Sequence, residues 1–209
     1  MAYSPDLGYA QVDSEVAELC QRGANRLTEA GAEVEQIDLD WADPYDCWNV
    51  FFYGGATARL RDSFVEQGHL LDPGLRAAVE EGMKLSVAEF TNALTARNEF
   101  WLKVCRVYDT YDLLVTPTLA VPPFRIGQNN ADPFPGRQLG DLQWTAFTYP
   151  INLTGQPATS VPCGWTASNL PVGMQIIGRR FDDGLVLRAA RAWEQIQPWA
   201  DRRPSCNVN

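Results

Sequence analysis

The stretch Pro150-Ile151-Asn152-Leu153-Thr154-Gly155-Gln156-Pro157 decides the reading of this chain. Its two prolines and its glycine predict an irregular loop. Ala158-Thr159-Ser160-Val161-Pro162 follows as a short extended segment bounded by prolines. A Gly/Asn/Pro turn over 164–171 then leads into Val172-Gly173-Met174-Gln175-Ile176-Ile177-Gly178, which reads as a buried strand. A helix over 182–197 stands behind them, with Leu185, Leu187, Ala190 and Trp193 at helical spacing and Asp182-Asp183 as its cap. Two strands and a helix this close predict a βαβ-like edge of an α/β core.

Upstream, Asp112-Leu113-Leu114-Val115-Thr116 is a buried strand ending at Pro117, and 117–140 is a long loop rich in Pro, Gly and Asn. The segment 142–149 predicts a short helix. Trp144 and Thr148 are four apart, with Thr145 three before Thr148, so all three would share one face.

Nearer the amino end, Asp13-Ser14 caps a helix carrying Val16, Leu19, Cys20, Ala24 and Leu27, which Gly31 ends. Residues 33–39 form a strand, predicting a parallel pair with a crossover helix. Asp43-Pro44 starts a second helix, with Pro44 at its first position and a wide apolar face of Trp48, Phe51, Phe52, Leu60 and Phe64; Gly54-Gly55 marks a kink or close approach within it. Asp72-Pro73 caps a short helix to Gly82, and Ser86-Val87-Ala88-Glu89 is a capping box opening a long one. The expectation is a single α/β domain over 1–209, with a flexible tail over 199–209.

Composition narrows function. The 209 residues are 45% hydrophobic and 21% charged, enough to bury a core. The net charge is −9 with no basic cluster, which argues against nucleic-acid or anionic-membrane partners. No apolar run is long enough to span a bilayer. The five cysteines, Cys20, Cys47, Cys105, Cys163 and Cys206, are widely spaced and form no C-x-x-C pair, so reduced thiols in the cytoplasm are expected and no zinc site.

The order Asn152-x-x-Gly155-x-Pro157-x-x-Ser160-x-Pro162, then Leu170-Pro171-Val172-Gly173-x-Gln175-Ile176-Ile177-Gly178, resembles the carboxy-terminal part of the amidase signature family. Tyr111-Asp112-Leu113-Leu114-Val115-Thr116-Pro117-Thr118 adds to the resemblance, which runs from Ala2 to about Arg203. It implies a mixed β-sheet flanked by helices. It also implies an amide hydrolase that uses a serine nucleophile, a second serine on a cis peptide and a lysine base, all in the family's amino-terminal half.

Those groups are not encoded here. The serines, Ser4, Ser14, Ser63, Ser86, Ser160, Ser168 and Ser205, are isolated. Lys84 and Lys103 are the only lysines, His69 is the only histidine, and no Gly-x-Ser-x-Gly, H-E-x-x-H or phosphate-binding motif occurs. Ser160 reads as a structural serine beside the active-site loop. No catalytic residue, cofactor or metal is therefore assigned.

The resemblance instead implies a substrate-pocket portion, inactive alone, that takes a small amide only when completed by an amino-terminal half. Its candidate substrate-binding residues are Trp144, Thr145, Thr148, Asn152 and Gln156. Within the family, the tRNA-dependent glutamine amidotransferases carry an acidic residue five before the proline matching Pro150; Thr145 stands there, which points to a less polar amide. The alternatives are a non-catalytic binding or interaction module on the same scaffold and an unrelated small α/β hydrolase. An unpaired sheet edge and an uncovered apolar face would lead to self-association or a partner.

Overall fold

The computed structural model describes residues 1–128 and 142–203. Its backbone contacts divide the chain into two compact units, 1–42 with 105–209 and 43–104, where a single domain was expected.

The first unit is built on a five-stranded sheet in the order β2-β1-β3-β5-β4. β1 (Ala2–Tyr3), β2 (Glu35–Gln36) and β3 (Leu113–Pro117) run parallel, and β5 (Pro171–Gly178) and β4 (Ala158–Trp165) continue antiparallel. The sheet is therefore mixed, and helices flank it. The parallel β1–β2 pair with its crossover helix α1 (Ser14–Arg26) is present as expected, although the 33–39 strand shrinks to Glu35–Gln36.

The βαβ-like edge is not present. β4 and β5 are neighbours in an antiparallel hairpin, Ser160 opposite Gln175 and Val161 opposite Met174, and helix α6 (Asp183–Ile196) follows both. A turn of only a few residues reverses the chain, whereas parallel strands need a long crossover.

Alternation along β5 separates the two faces of the sheet. Val172, Met174 and Ile176 join Tyr3, Leu113, Val115, Val161 and Cys163 in one core cluster. α1 covers that cluster with Val16, Leu19, Cys20 and Ala24, and α6 with Val186, Ala189 and Trp193. Trp193 is fully buried, and its indole N–H donates to Pro162 O at 2.9 Å, so the largest core side chain keeps its polar atom satisfied. Asp13 caps α1 as expected, its Oδ1 accepting from the Glu15 and Val16 amides at 2.9 and 3.3 Å. Asp182 holds the N-cap position of α6 but makes no side-chain cap bond. At the carboxy end Trp199 packs against the core and Arg202 lies over the Trp165 ring; the rest of the expected tail, 204–209, lies outside the described residues.

The second unit is helical. α2 (Tyr45–Gln67), α3 (Pro73–Gly82) and most of α4 (Val87–Thr110) form it. Pro44 is the N-cap of α2 rather than its first residue, and α2 runs unbroken through Gly54-Gly55. The capping box forms in full: Ser86 Oγ accepts from the Glu89 amide at 3.2 Å, and Glu89 Oε2 accepts from the Ser86 amide at 2.7 Å. α2 buries none of its residues, although Trp48 and Phe52 stack on each other at 4.8 Å. No helix among the described residues is long and apolar enough to cross a membrane.

Candidate substrate-pocket wall

The expected helix over 142–149 and the expected loop over 150–157 exchange places. Gln143–Thr145 is a single 3₁₀ turn, and helix α5 spans Tyr149–Thr154. Pro150 sits in the first turn of α5, where its missing N–H has no helical partner to lose. Gly155 ends α5 with φ 68°, a left-handed cap that side chains resist. The punctuation that suggests a loop is thus a helix start and a helix stop. Trp144 and Thr148 do not lie on one helix, so the shared-face argument fails.

What holds 144–148 in place is a set of ties to its carbonyls. Ala120 N–H donates to Trp144 O at 3.0 Å, the Tyr9 hydroxyl to Ala146 O at 2.7 Å, and Gln175 Nε2 to Phe147 O at 2.9 Å. Gln175 is buried on the sheet face opposite Met174 and also donates to Thr116 Oγ1 at 3.3 Å. None of these ties was among the expectations from sequence. For Gln175 the period-2 alternation of β5 held the signal: a glutamine between Met174 and Ile176 must face away from the core cluster.

With the main chain secured, the candidate side chains fall into three groups. Trp144, Thr145 and Thr148 are half-buried. Trp144 meets Phe124 edge to face at 5.2 Å, and its buried indole Nε1 has no acceptor among the described residues. The Thr145 hydroxyl donates to Leu142 O at 2.6 Å and that of Thr148 to Thr145 O at 3.0 Å. Both hydroxyl protons are thereby engaged, which leaves the oxygens as acceptors for an amide or amine N–H. Asn152 lies exposed on α5.

Gln156 is different. It is buried, donates from Nε2 to Gly178 O at 3.0 Å and accepts from Thr154 Oγ1 at 2.9 Å. It also lies in hydrogen-bonding reach of the Tyr108 hydroxyl, whose pKa burial pushes upward. Its amide braces the turn between α5 and β4.

The remaining polar feature is a hydroxyl pair. Ser160 Oγ and Thr118 Oγ1 are 2.7 Å apart on the exposed side of β4. Gly173 makes the room for them, since a Cβ there would stand 2.6 Å from Ser160 Oγ and 2.9 Å from Thr118 Oγ1. Ser160 therefore pairs with another neutral hydroxyl and not with a base. Lys84 is exposed and pairs with Glu81 at 2.5 Å, while Lys103 and His69 are exposed.

The family model described as Amidase matches residues 1–187. The chain belongs to the amidase family. It is 34% identical to an acylamidase of Rhodococcus erythropolis over 210 residues, which cover 98% of this chain and 44% of that protein. A shorter match, 42% over 99 residues, is to the glutamyl-tRNA(Gln) amidotransferase of Thermodesulfovibrio yellowstonii, in its A chain, and covers 47% of this chain and 19% of that one. Among solved structures, a bacterial aryl acylamidase of the amidase signature family superposes with a TM-score of 0.81 at 26% identity, covering 97% of this chain and 46% of that one. The chain thus spans less than half the length of each of these relatives.

Proposed function

We propose that this chain is the substrate-pocket portion of an amide hydrolase, inactive by itself, and that Trp144, Thr145, Thr148 and Asn152 meet the substrate. The observation that carries the reading is the strip 144–148: its carbonyls are tied to Ala120, Tyr9 and Gln175, while Trp144, Thr145 and Thr148 stay half-buried. A rigid main chain presenting an aromatic ring and acceptor oxygens suits an amide with an apolar body. Thr145, where an acid would suit a polar amino-acid amide, favours the same substrate class. The acylamidase relative and the aryl acylamidase neighbour are consistent with it. Gln156 serves as a brace for this wall.

The nucleophile, its serine relay, its lysine and the oxyanion donors would come from a polypeptide equivalent to the amino-terminal half of the relatives. We further propose that the surface it covers includes the apolar side of α2 rather than the outer edge of β4. Pro162 and a register shift between Pro162 and Gly164 interrupt that edge, and such interruptions discourage strand pairing. The described cysteines Cys20, Cys47, Cys105 and Cys163 are free, which suits a reducing compartment such as the cytoplasm.

The test joins this chain to the amino-terminal portion of the acylamidase and follows hydrolysis of 4-nitroacetanilide. Activity should need both parts, and Trp144→Ala should raise KM more than it lowers kcat. Unchanged kinetics in Trp144→Ala and Thr148→Val would remove the wall from the substrate site.

A further inference from the structure

A second concavity lies at the other end of the β4–β5 hairpin, in the sheet unit. It encloses about 530 Å³ and is bordered by Trp165, Trp199, Arg202 and Arg203, with Leu170 and Pro171 beneath them. Its construction is specific. Trp165 ends β4 and Pro171 begins β5, directly opposite each other. The turn between them is closed by Thr166 N–H to Leu170 O and Asn169 N–H to Thr166 O, both 2.8 Å, with Asn169 left-handed at φ 60°. Trp193 bonds Pro162 O from the core side, so the floor is anchored in the core.

The walls are aromatic and the rim is cationic. Trp199 packs against the core cluster, and Arg202 N–H donates to Trp199 O at 3.0 Å, turning the chain back over the opening. The Arg202 guanidinium then lies 3.8 Å from the Trp165 ring centroid. A guanidinium held on an indole face keeps its planar fork of donors and suits a carboxylate. Among the described residues no carboxylate forms an ion pair with Arg202 or Arg203, and Asp201 is exposed beside them in the chain. Two such arginines over two tryptophans stand out in a chain of net charge −9, which repels anions elsewhere.

We propose that this cleft binds a carboxylate carried on an aromatic body, an aryl carboxylate, with Arg202 and Arg203 on the carboxylate and Trp199 and Leu170 against the ring. The volume falls in the range of small-molecule sites. An inorganic anion would use only the arginines and leave the apolar walls wet, whereas a neutral aryl group would leave the arginines unused. None of the residues of the pocket wall over 144–156 takes part, so the proposal stands whether or not that wall meets substrate.

The test is calorimetric and fluorescence titration of the 209-residue chain with benzoate, benzamide and inorganic phosphate. Benzoate should bind one to one with a Kd of about 1 mM or tighter, a level that a single charged contact and one buried ring can supply. Benzamide and phosphate should each bind at least ~10-fold more weakly, about 1.4 kcal/mol by the usual conversion. Arg202→Ala with Arg203→Ala should weaken benzoate by a similar factor, and Arg202→Lys, which keeps the charge but loses the fork, should fall between. Both arginines are exposed, so circular dichroism of the variants should match the parent. The proposal is overturned if benzoate shows no saturable binding at tens of millimolar, if benzamide or phosphate binds as tightly, or if the double variant binds benzoate unchanged.

Discussion

The two units of this chain solve the problem of burial differently. In the sheet unit, α1 and α6 close over one face of the sheet, and Tyr3, Leu27, Met174, Ile176 and Trp193 are at most 1% exposed. In the helical unit, α2 runs from Tyr45 to Gln67 without burying a residue, while Val65, Leu70, Val87 and Leu102 are each more than 60% exposed. A cleft of about 660 Å³ opens there, with Phe51, Leu85 and Phe90 on its walls. Within one chain, the sheet unit carries its own core and the helical unit offers apolar surface that is characteristic of an interface. Intactness of fold and completeness of function are therefore separate questions here. The core is present, and the surfaces that would bear on a catalytic partner are open.

The largest effect expected from this comparison separates the units by mutation. Trp193→Ala removes a fully buried indole and its bond to Pro162, and should cost about 3–5 kcal/mol in urea unfolding. Val65→Ala, at a side chain 81% exposed, should change stability by less than about 0.5 kcal/mol. A comparable loss at both sites would erase the distinction. Next in size, Gln175→Ala cuts the ties to Phe147 O and Thr116 Oγ1, and should cost about 1–3 kcal/mol. Amide exchange should quicken over 143–154 and not over α1, which would place Gln175 as the anchor of the pocket wall.

Gly155→Ala forces a side chain into the left-handed cap of α5 and should cost about 1–2 kcal/mol. A neutral outcome would return the segment to the irregular loop that its prolines suggest. The smallest effect lies at the start of α4. Hydrogen bonds from the Ser86 hydroxyl and amide hold the Glu89 carboxyl below its ordinary pKa. A depressed carboxylate stabilises the folded state above its unfolded pKa of about 4.3, and that contribution is lost as pH falls through the lower folded value. Ser86→Ala should raise the Glu89 midpoint in an NMR titration; an unchanged midpoint would deny the capping box.

Legibility follows the range of each interaction. The Ser86–Glu89 box and the Asp13 cap are contacts within three residues, and both are readable as spacing. The core face of α1 is readable as period, with Val16, Leu19, Cys20, Ala24 and Leu27 all buried. Strand direction is not, because alternation is the same for parallel and antiparallel partners, and so a hairpin resembles a βαβ edge in sequence. Pro150 and Gly155 mislead for a related reason: either residue marks a helix end or a loop, and the hydrogen bond from Gly155 N–H to Ile151 O decides which. The Trp144 carbonyl is held by Ala120 and the Phe147 carbonyl by Gln175, pairs that only the folded sheet brings together.

The central claim is that this chain shapes an amide site and does not cleave amides unaided. Incubating the purified chain with 4-nitroacetanilide, beside its Ser160→Ala variant, tests it most directly. The account predicts that neither releases 4-nitroaniline above the buffer rate. Steady turnover by the parent chain that Ser160→Ala abolishes would contradict it.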